Sequence, residues 1–469
     1  MELAETTVRG SDDWCLAELA KDFGSQLPRL RSLQSYVDGT AMLPVHATSM
    51  SMREAYLRFV KRSRLNLADL IVGARVNRQR VLGFRTAAPG DDTGDRAAMR
   101  NWNRSKMKVG SRDFFRDLAT YGDGYLVATG PQRPSADAQP LMIPSSPLST
   151  ISRQSMVMPW LTDYGATFGY DELAGVETIT LFRPGYVRTA IRDAKKSSIP
   201  DSTRGARWSL GRGWGWETDR LPLGYTDQNA LVRASLADGH GVFETHTDDL
   251  DRINSGILER LTIVAMQAFR QRAIEGKLPE AYPADHPRAG QKIDYEAVFA
   301  AGPAALWMLP EGAKVWESQL TPTQDIINGS KFDVTMVAAT TSTPLYTLLP
   351  DSQNVAAGAA DLAREGIIFA VEEMNDRAAL ALAEVQSLNF QALGDTLRAD
   401  ADEVEVIWAS VARLSITERA NAAAQAKTGG LSRRMILEKV WQLSPAEIEQ
   451  NRQDLTDEAF ESADVTVTG

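Results

Sequence analysis

The sequence predicts an α+β fold, in which helical stretches and a block of short strands occupy different parts of the chain. Apolar residues recur at three- to five-residue steps over residues 355–385, which is typical of one face of a single long helix. Between residues 125 and 236 the pattern changes to short runs rich in β-branched and aromatic residues, which favours strands. A breaker with two prolines, residues 343–354, precedes the long helix, because proline disfavours helix in the residue before it.

Further helices are predicted before and after the strand block. Residues 51–82 and 97–119 read as helices with an apolar face, and residues 249–275 return to a helical pattern. In that third helix the apolar positions follow a near-heptad spacing: Leu250, Ile253, Ile257, Leu261, Val264 and Ala268. Such a stripe packs either the core of one chain or the neighbouring helices of a ring, and the spacing leaves both open.

Turn and cap signals divide the strand block and the C-terminal region. The predicted strands are residues 125–128, 178–182 and 186–190, with turns at Gly130–Pro131, Pro184–Gly185 and the glycines of 211–215. Residues 415–460 read as short helices broken at Gly429–Gly430 and capped by Ser432 and Ser444, with Glu447 at capping-box distance. We expect the acidic end of the chain, residues 454–469, to be a frayed tail.

The length and composition of the chain limit the number of domains, the redox compartment and the membrane attachment that we expect. A chain of 469 residues is long enough for two to four domains. Cys15 is the single cysteine, which excludes an intrachain disulfide and fits a reducing compartment, where we expect an inert buried thiol. Neither a signal peptide at the start nor a run of about 20 apolar residues is visible, so we expect a protein without a membrane anchor.

The net charge of −10 conceals a basic segment. Residues 53–116 contain 16 Lys and Arg against 6 Asp and Glu, so the rest of the chain carries −20. This segment is either a pair of solvated amphipathic helices or a surface that meets an acidic partner. By contrast, no lysine or arginine occurs between Lys331 and Arg364, so the breaker adds no phosphate-neutralising charge of its own.

No motif for catalysis, a metal or a cofactor is found. The four histidines are His46, His240, His246 and His286, and only the pair 240/246 comes near metal-ligand spacing. Residues 205–212 lack the spacing and the lysine of a phosphate-binding loop, and residues 211–216 lack the third glycine of a dinucleotide fingerprint. We therefore predict a protein that is not an enzyme, with no catalytic residue, metal or cofactor.

Several segments together resemble the portal proteins of long-tailed bacteriophages, over roughly residues 52–458. Residues 251–254 and 269–276 look like the start and end of the first stem helix, and residues 306–312 look like the return from the clip. Residues 340–344 resemble the end of the second stem helix. Upstream, Trp102–Asn103 and residues 121–125 look like a wing helix that leads into a strand.

The resemblance implies a portal fold with long stem and wing helices, a β-containing wing, a small clip and a helical crown, assembled as a ring. Its parts would be the wing (1–248), first stem helix (249–276), clip (277–321), second stem helix (322–342), channel loop (343–354), long wing helix with returning segment (355–414) and crown with acidic tail (415–469).

The resemblance also implies roles for particular residues. The channel loop facing DNA would contain Leu345, Tyr346, Thr347, Leu348, Leu349, Pro350, Asp351, Ser352, Gln353 and Asn354. Packing between subunits in the stem would use Leu250, Ile253, Ile257, Leu261 and Val264. The clip surface that faces terminase or a connector would contain Pro279, Asp285, His286, Arg288 and Lys292.

A portal is expected to form a ring, of 12 subunits by the family pattern, at one vertex of the capsid. Double-stranded DNA would pass through it, packaged by the terminase large subunit and later ejected. Its other expected partners are the major capsid protein, the scaffold and the head–tail connector protein. The expected location is the virion, and the host cytoplasm during assembly.

The sequence leaves two other functions open. Trp208, Trp214 and Trp216, near Glu217 and Asp219, suggest a β-rich carbohydrate-binding protein or a glycosidase, which needs two carboxylates. The competing interpretation places Trp214 and Trp216 on one face of a hairpin, where they fill the core of the sheet. Another ring-forming head connector is the remaining alternative, although such chains are usually shorter and lack the order of stem, loop and long helix.

Overall fold

The fold is described from a computed structural model of the chain. The described residues are 8–42, 50–88, 94–129, 139–201, 207–225, 227–268, 272–275, 278–295, 314–317, 322–349, 357–412 and 415–467. They form two compact units. The larger unit comprises residues 1–42, 65–251 and 333–469, and the smaller unit comprises residues 43–64 and 252–332.

Helices and strands alternate in blocks along the chain. The helices are α1 Asp12–Val37, α2 Met50–Ser63, α3 Leu67–Val76, α4 Arg96–Arg104, α5 Met107–Tyr121, α6 Thr247–Ala268, α7 Gln324–Thr340, α8 Leu345–Leu348, α9 Ala357–Ala392, α10 Ile416–Thr428, α11 Arg433–Met435 and α12 Pro445–Val467. The strands are β1 Val81–Arg85, β2 Asp123–Thr129, β3 Leu141–Ser145, β4 Thr150–Gln154, β5 Thr162–Asp171, β6 Val176–Arg183, β7 Tyr186–Asp193, β8 Gly215–Trp216, β9 Leu221–Pro222, β10 Leu231–Ser235, β11 Arg272–Glu275, β12 Lys314–Glu317 and β13 Glu405–Trp408.

The mixed α+β fold is confirmed, and so are its main blocks. All the described strand pairs are antiparallel. The strands predicted at 125–128, 178–182 and 186–190 lie within β2, β6 and β7. The division into wing, stem, clip and crown stays a prediction.

A six-stranded sheet of the larger unit packs against α1. Its strand order is β4-β5-β6-β7-β8, with β9 also paired to β7. The inward face of α1 contributes Leu16, Leu19, Phe23 and Leu27, which pack on alternate residues of the strands. Phe23 stacks on Phe168 at 4.5 Å between ring centroids. A period of 3.6 on the helix and of 2 on the strands gives both elements one apolar face.

The tryptophans belong to this core, as the hairpin interpretation predicts. Trp208 and Trp214 are buried in the core cluster, and Trp216 packs against it. Arg192 lies over the ring of Trp214 at 4.7 Å, and Arg188 lies over that of Trp216 at 4.2 Å. Because protein atoms cover these ring faces, no sugar ring can stack there, and the carbohydrate-site interpretation is wrong.

Two smaller sheets of the larger unit support the long helix α9. The strands β10, β2 and β3 form one sheet, and β1 pairs with β13 in another. The predicted apolar face of α9 is confirmed, since Ile367, Met374, Ala378, Leu382 and Val385 are all buried.

Two predicted helices are interrupted. The helix predicted over 51–82 is two helices, α2 and α3, followed by strand β1, whose pairing with β13 overrides the local helical pattern. The helix predicted over 97–119 is divided into α4 and α5 at Lys106, whose φ of 56° lies in the left-handed region. Local apolar spacing does not detect such a single-residue break.

The first stem helix is shorter than predicted. It ends at Ala268, and Arg272–Glu275 forms a strand paired with Lys314–Glu317, so the prediction of helix to residue 275 or 276 is wrong. The pairing partner lies about 40 residues further along the chain. A pairing over that separation is not visible in the local period, which explains the error.

The C-terminal helices follow their cap signals. Ser432 Oγ accepts a hydrogen bond from the Met435 amide at 3.2 Å, and the Ser444 amide donates to Glu447 at 2.7 Å. The break at Gly429–Gly430 is confirmed. The prediction of a frayed tail is wrong as far as residue 467, because helix α12 continues to Val467. Side chains one turn apart on this helix form hydrogen bonds, such as that from Gln450 to Asp454 at 2.7 Å.

Candidate functional site

The candidate site is the connection between α7 and the long helix α9. Helix α7 ends at Thr340, and Ser342 follows with a φ of 51°, in the left-handed region. The Thr343 amide donates to the Ala338 carbonyl at 2.8 Å, which closes the turn. The side chains of Thr341 and Thr343 share a hydrogen bond of 2.8 Å and are buried. The chain therefore leaves α7 through a rigid polar turn.

The next residues form one helical turn. Leu345–Leu348 is the short helix α8, preceded by Pro344, and the Leu349 amide donates to the Leu345 carbonyl at 2.8 Å. Leu348 points inward and is 8 % exposed, whereas Tyr346 is 47 % exposed. The predicted channel residues Leu345, Tyr346, Thr347, Leu348 and Leu349 thus lie together. Pro350, Asp351, Ser352, Gln353 and Asn354 lie outside the described residues.

An arginine of α3 binds the end of α7. Arg75 Nη2 donates to the Thr341 carbonyl oxygen at 2.8 Å. Burial lowers the pKa of Arg75 to about 10, and the Glu373 carboxylate opposes that shift. Arg75 therefore stays charged at neutral pH, and a positive charge beside the last carbonyl groups of a helix is stabilising.

A second arginine, Arg78, lies just after α3 and contacts the exposed turn. Arg78 Nη2 donates to the Tyr346 hydroxyl at 3.0 Å. The segment between Lys331 and Arg364 contains no cation of its own, but Arg75 of α3 and Arg78 just after α3 contact its described part. The absence of a phosphate-neutralising charge within the segment itself stays a prediction. Both arginines belong to the basic segment 53–116, and only the tertiary fold places them here.

Buried amides hold the long helix in place beside this site. Gln79 donates to Asn375 at 3.0 Å, and Asn101 donates to Gln386 at 3.0 Å. Gln386 in turn donates to the Ala98 carbonyl at 3.1 Å. Hydrogen-bonded amides in an apolar interior fix the register of the helix, because a shift would leave them unpaired.

The residues predicted to pack in the stem differ in burial; they are Leu250, Ile253, Ile257, Leu261 and Val264. Leu250 and Ile253 are buried at 3 % and 1 % exposure, so they serve the interior of one chain. Ile257 and Leu261 are half-buried, and Val264 is 52 % exposed. An added Cβ at Gly256 would lie 3.3 Å from Ser330 Oγ, which shows that α6 and α7 approach closely in the smaller unit.

The predicted clip residues lie on an exposed loop of the smaller unit. Pro279, Asp285, His286, Arg288 and Lys292 are all exposed. The loop returns on itself, because the Tyr282 amide donates to the Gln291 carbonyl at 3.0 Å. The rings of Tyr282 and His286 stack with centroids 4.2 Å apart. The five side chains are thus presented by one short structured loop, and their role stays a prediction.

Within the described ranges, no three His, Cys, Asp or Glu side chains are grouped so that they could hold a metal ion. Cys15 is fully buried, and burial raises the pKa of its thiol, as expected of an unreactive cysteine. Among the described helices, none has the length and apolarity to span a membrane.

Comparisons with known proteins give only distant likenesses. No family model matches the chain, and no curated protein matches it. Among solved structures, a chain in the neck of an empty GTA particle, computed with C6 symmetry, is 11 % identical, with a TM-score of 0.44 and coverage of 94 % of this chain and 96 % of that one.

Two further solved chains come from the same kind of particle. One, from the neck of a native GTA particle computed with C12 symmetry, is 12 % identical, with a TM-score of 0.43 and coverage of 90 % and 94 %. The other, from the virion of a native gene transfer agent particle, is 11 % identical, with a TM-score of 0.38 and coverage of 94 % and 96 %. TM-scores of this size assign neither the fold nor the function of this chain.

Proposed function

We propose that this protein is a portal, a ring-forming subunit that encloses the channel through which DNA enters and leaves a capsid. The observation that carries the proposal is the order of elements from α6 to α9. Helix α6 runs into residues of the smaller unit, α7 runs out of it, and a hydrogen-bonded turn after α7 precedes a helix of 36 residues. We interpret this order as stem, clip, stem, channel loop and wing helix, in agreement with what the sequence resemblance implies.

In this proposal the turn around α8 and the residues after it face the DNA. Tyr346 is exposed there, and Arg75 holds the turn at its base. Residues of the channel wall should make few contacts with DNA phosphates, because each phosphate that they neutralise increases the affinity of the wall for DNA and opposes its passage. The partners are those of a portal: terminase, capsid protein, scaffold and a head–tail connector.

Size and shape of the purified protein test the proposal. Size-exclusion chromatography with light scattering is expected to give a large oligomer, with 12 subunits as the expected number, and negative-stain microscopy is expected to show rings with a central hole. A monomer of 51.4 kDa at every concentration and ionic strength tested would contradict the proposal.

A further inference from the structure

A positively charged cleft of about 930 Å³ lies beside the start of α12 in the larger unit. Its wall includes five exposed cationic side chains: Arg80, Arg96, Arg100, Lys108 and Arg112. Two carboxylates also line it, but Asp95 is paired with Arg398 at 2.6 Å and Glu449 with Arg452 at 3.0 Å. Among the described residues that line the cleft, these two carboxylates therefore do not balance its five cations.

The fold places these cations close to one another, which is electrostatically unfavourable. Arg96 and Arg100 lie one helical turn apart on α4, and Lys108 and Arg112 lie one turn apart on α5. Like charges at this spacing repel each other. Arg96, Arg100 and Lys108 form no ion pair within the part of the chain that the structure describes, whereas Arg112 donates to the Asn77 amide oxygen at 2.7 Å. An anionic partner would relieve the repulsion.

The shape of the cleft favours a peptide. Its floor includes the half-buried apolar side chains of Val81, Met99 and Pro445, and its wall presents the side-chain amides of Gln450 and Gln453. A concave site with an apolar floor and a cationic rim accepts a chain segment that carries both an aromatic side chain and carboxylates. A DNA duplex presents a convex phosphate backbone, which does not fill an apolar floor.

The end of this same chain has the complementary chemistry. Helix α12 lines the cleft only as far as Gln453, and the following two turns expose Asp454, Asp457, Glu458 and Phe460. Phe460 is 72 % exposed. No lysine or arginine occurs after Arg452. This acidic segment, residues 454–460, is therefore presented to solvent beyond the cleft of its own chain.

We propose that the cleft receives the acidic segment of a second copy of this chain. Each copy has one cleft and one acidic segment made of different residues, so the contact is head to tail, and head-to-tail contacts form closed rings when the rotation closes. Phe460 would be the apolar anchor, and the charged pairs at the rim would set register and association rate. This inference rests on the proposed ring and names one contact between its neighbouring subunits.

Crosslinking of two full-length variants tests the contact. Asn103→Cys lies at the cleft and Thr456→Cys on the acidic segment, both at exposed neutral positions. When the two variants are mixed with a short bis-maleimide, a covalent dimer is expected, and its yield is expected to fall at high salt. Each variant alone is not expected to give it. Ser209→Cys, exposed but outside the cleft, is the matched control for Asn103→Cys and is expected to give no dimer with Thr456→Cys.

Charge reversal provides the second measurement. Arg96→Glu with Arg100→Glu is expected to lower the crosslink yield at least tenfold, and Asp457→Arg with Glu458→Arg in the other copy is expected to restore it. Lys195→Glu with Lys196→Glu, exposed and outside the cleft, is expected to change nothing.

Three outcomes would overturn the contact. They are no dimer in the mixture, a crosslink that forms only within one chain when Asn103→Cys and Thr456→Cys are combined in the same chain, or unchanged dimer yield with lost DNA retention after charge reversal. The last would identify a nucleic-acid site. Rings in micrographs without the crosslink would refute this contact and leave the proposed function standing, whereas a crosslinked open chain without rings would refute the proposed function.

Discussion

Arg75 and Thr341 lie 266 positions apart in the sequence, yet the guanidinium of one donates to the carbonyl oxygen of the other at 2.8 Å. The contact fixes the end of α7 to α3 at the point where the chain turns towards α9. It places a buried charge at a helix C-terminus, where the helix dipole favours it. The geometry of the candidate channel segment therefore depends on a residue from the N-terminal half of the chain.

Replacing this arginine is expected to destabilise the fold. Arg75→Ala removes a charged hydrogen bond and leaves the Thr341 carbonyl unpaired, so the free energy of unfolding should fall by about 1.5–3 kcal/mol. Urea unfolding measures it. Arg78→Ala is the matched control, because its partner Tyr346 is exposed, and about 0.5 kcal/mol or less is expected. Equal losses in the two variants would contradict the special role of Arg75.

Within the channel loop (residues 343–354), we expect the part that stabilises the fold to end between Leu348 and Pro350, and the part that contacts DNA to begin there. Deleting residues 348–352 removes the buried Leu348 and should lower stability by about 2 kcal/mol or more. Deleting residues 350–354 spares it and should leave the melting temperature nearly unchanged while impairing packaging or DNA retention. Calorimetry and a packaging assay on the same preparations compare the two. A melting temperature lowered equally by both deletions would refute this boundary.

The long helix, the strand block and the caps were predictable because each depends on local spacing. The apolar face of α9 and the capping serines are set by neighbours within a few residues along the chain. The end of α6 and the division of residues 51–82 were not predictable, since strand pairing with distant residues decides them.

The sequence predicted which segment forms the candidate site, but not which residues from other parts of the chain contact it. The two prolines and the missing cations identified residues 343–354, but Arg78, which contacts Tyr346, and Arg75, which contacts Thr341 just before this segment, come from α3 and the residues after it. The excess of positive charge over residues 53–116 was the available signal. Composition alone did not show which of its cations would contact this turn and which would line the cleft.

Two substitutions on α6 separate intrachain packing from subunit packing. Ile253→Asp places a charge in the interior of one chain and should prevent folding. Leu261→Asp lies at a half-buried position and should give a folded monomer that fails to form rings. Circular dichroism and light scattering on the same samples distinguish these results. Rings of normal size from Leu261→Asp would exclude this face from the subunit interface.

The stability of the protein is expected to depend on Glu384 of α9. Burial raises the pKa of this carboxyl group from 4.5 to about 7. Between these values Glu384 keeps a proton in the folded protein that it has released in the unfolded chain, so its contribution to stability falls as the pH rises from about 4.5 to about 7 and changes no further above it.

Glu384→Gln should remove that dependence. At pH 8 the variant is expected to be more stable than the parent, by on the order of 1–3 kcal/mol, and at pH 4 nearly equal to it. Urea unfolding across a pH series measures the difference. The exposed Glu372→Gln is the control and should parallel the parent at every pH. A difference between Glu384→Gln and parent that is independent of pH would contradict the assignment.

The last prediction concerns contact between the turn and DNA. Tyr346→Lys adds one exposed cation per subunit at the described end of the candidate channel segment. If DNA passes there, each phosphate that the lysine neutralises adds about −0.9 to the slope of log affinity against log salt, so translocation should slow. The slowing should be greatest at low salt, where screening is weakest. Tyr346→Phe loses the same hydrogen bond from Arg78 without adding charge, and should translocate like the parent. Procapsids built with each variant are loaded by terminase and ATP over a salt series. Equal rates for Tyr346→Lys and Tyr346→Phe at every salt concentration would place this turn away from the DNA.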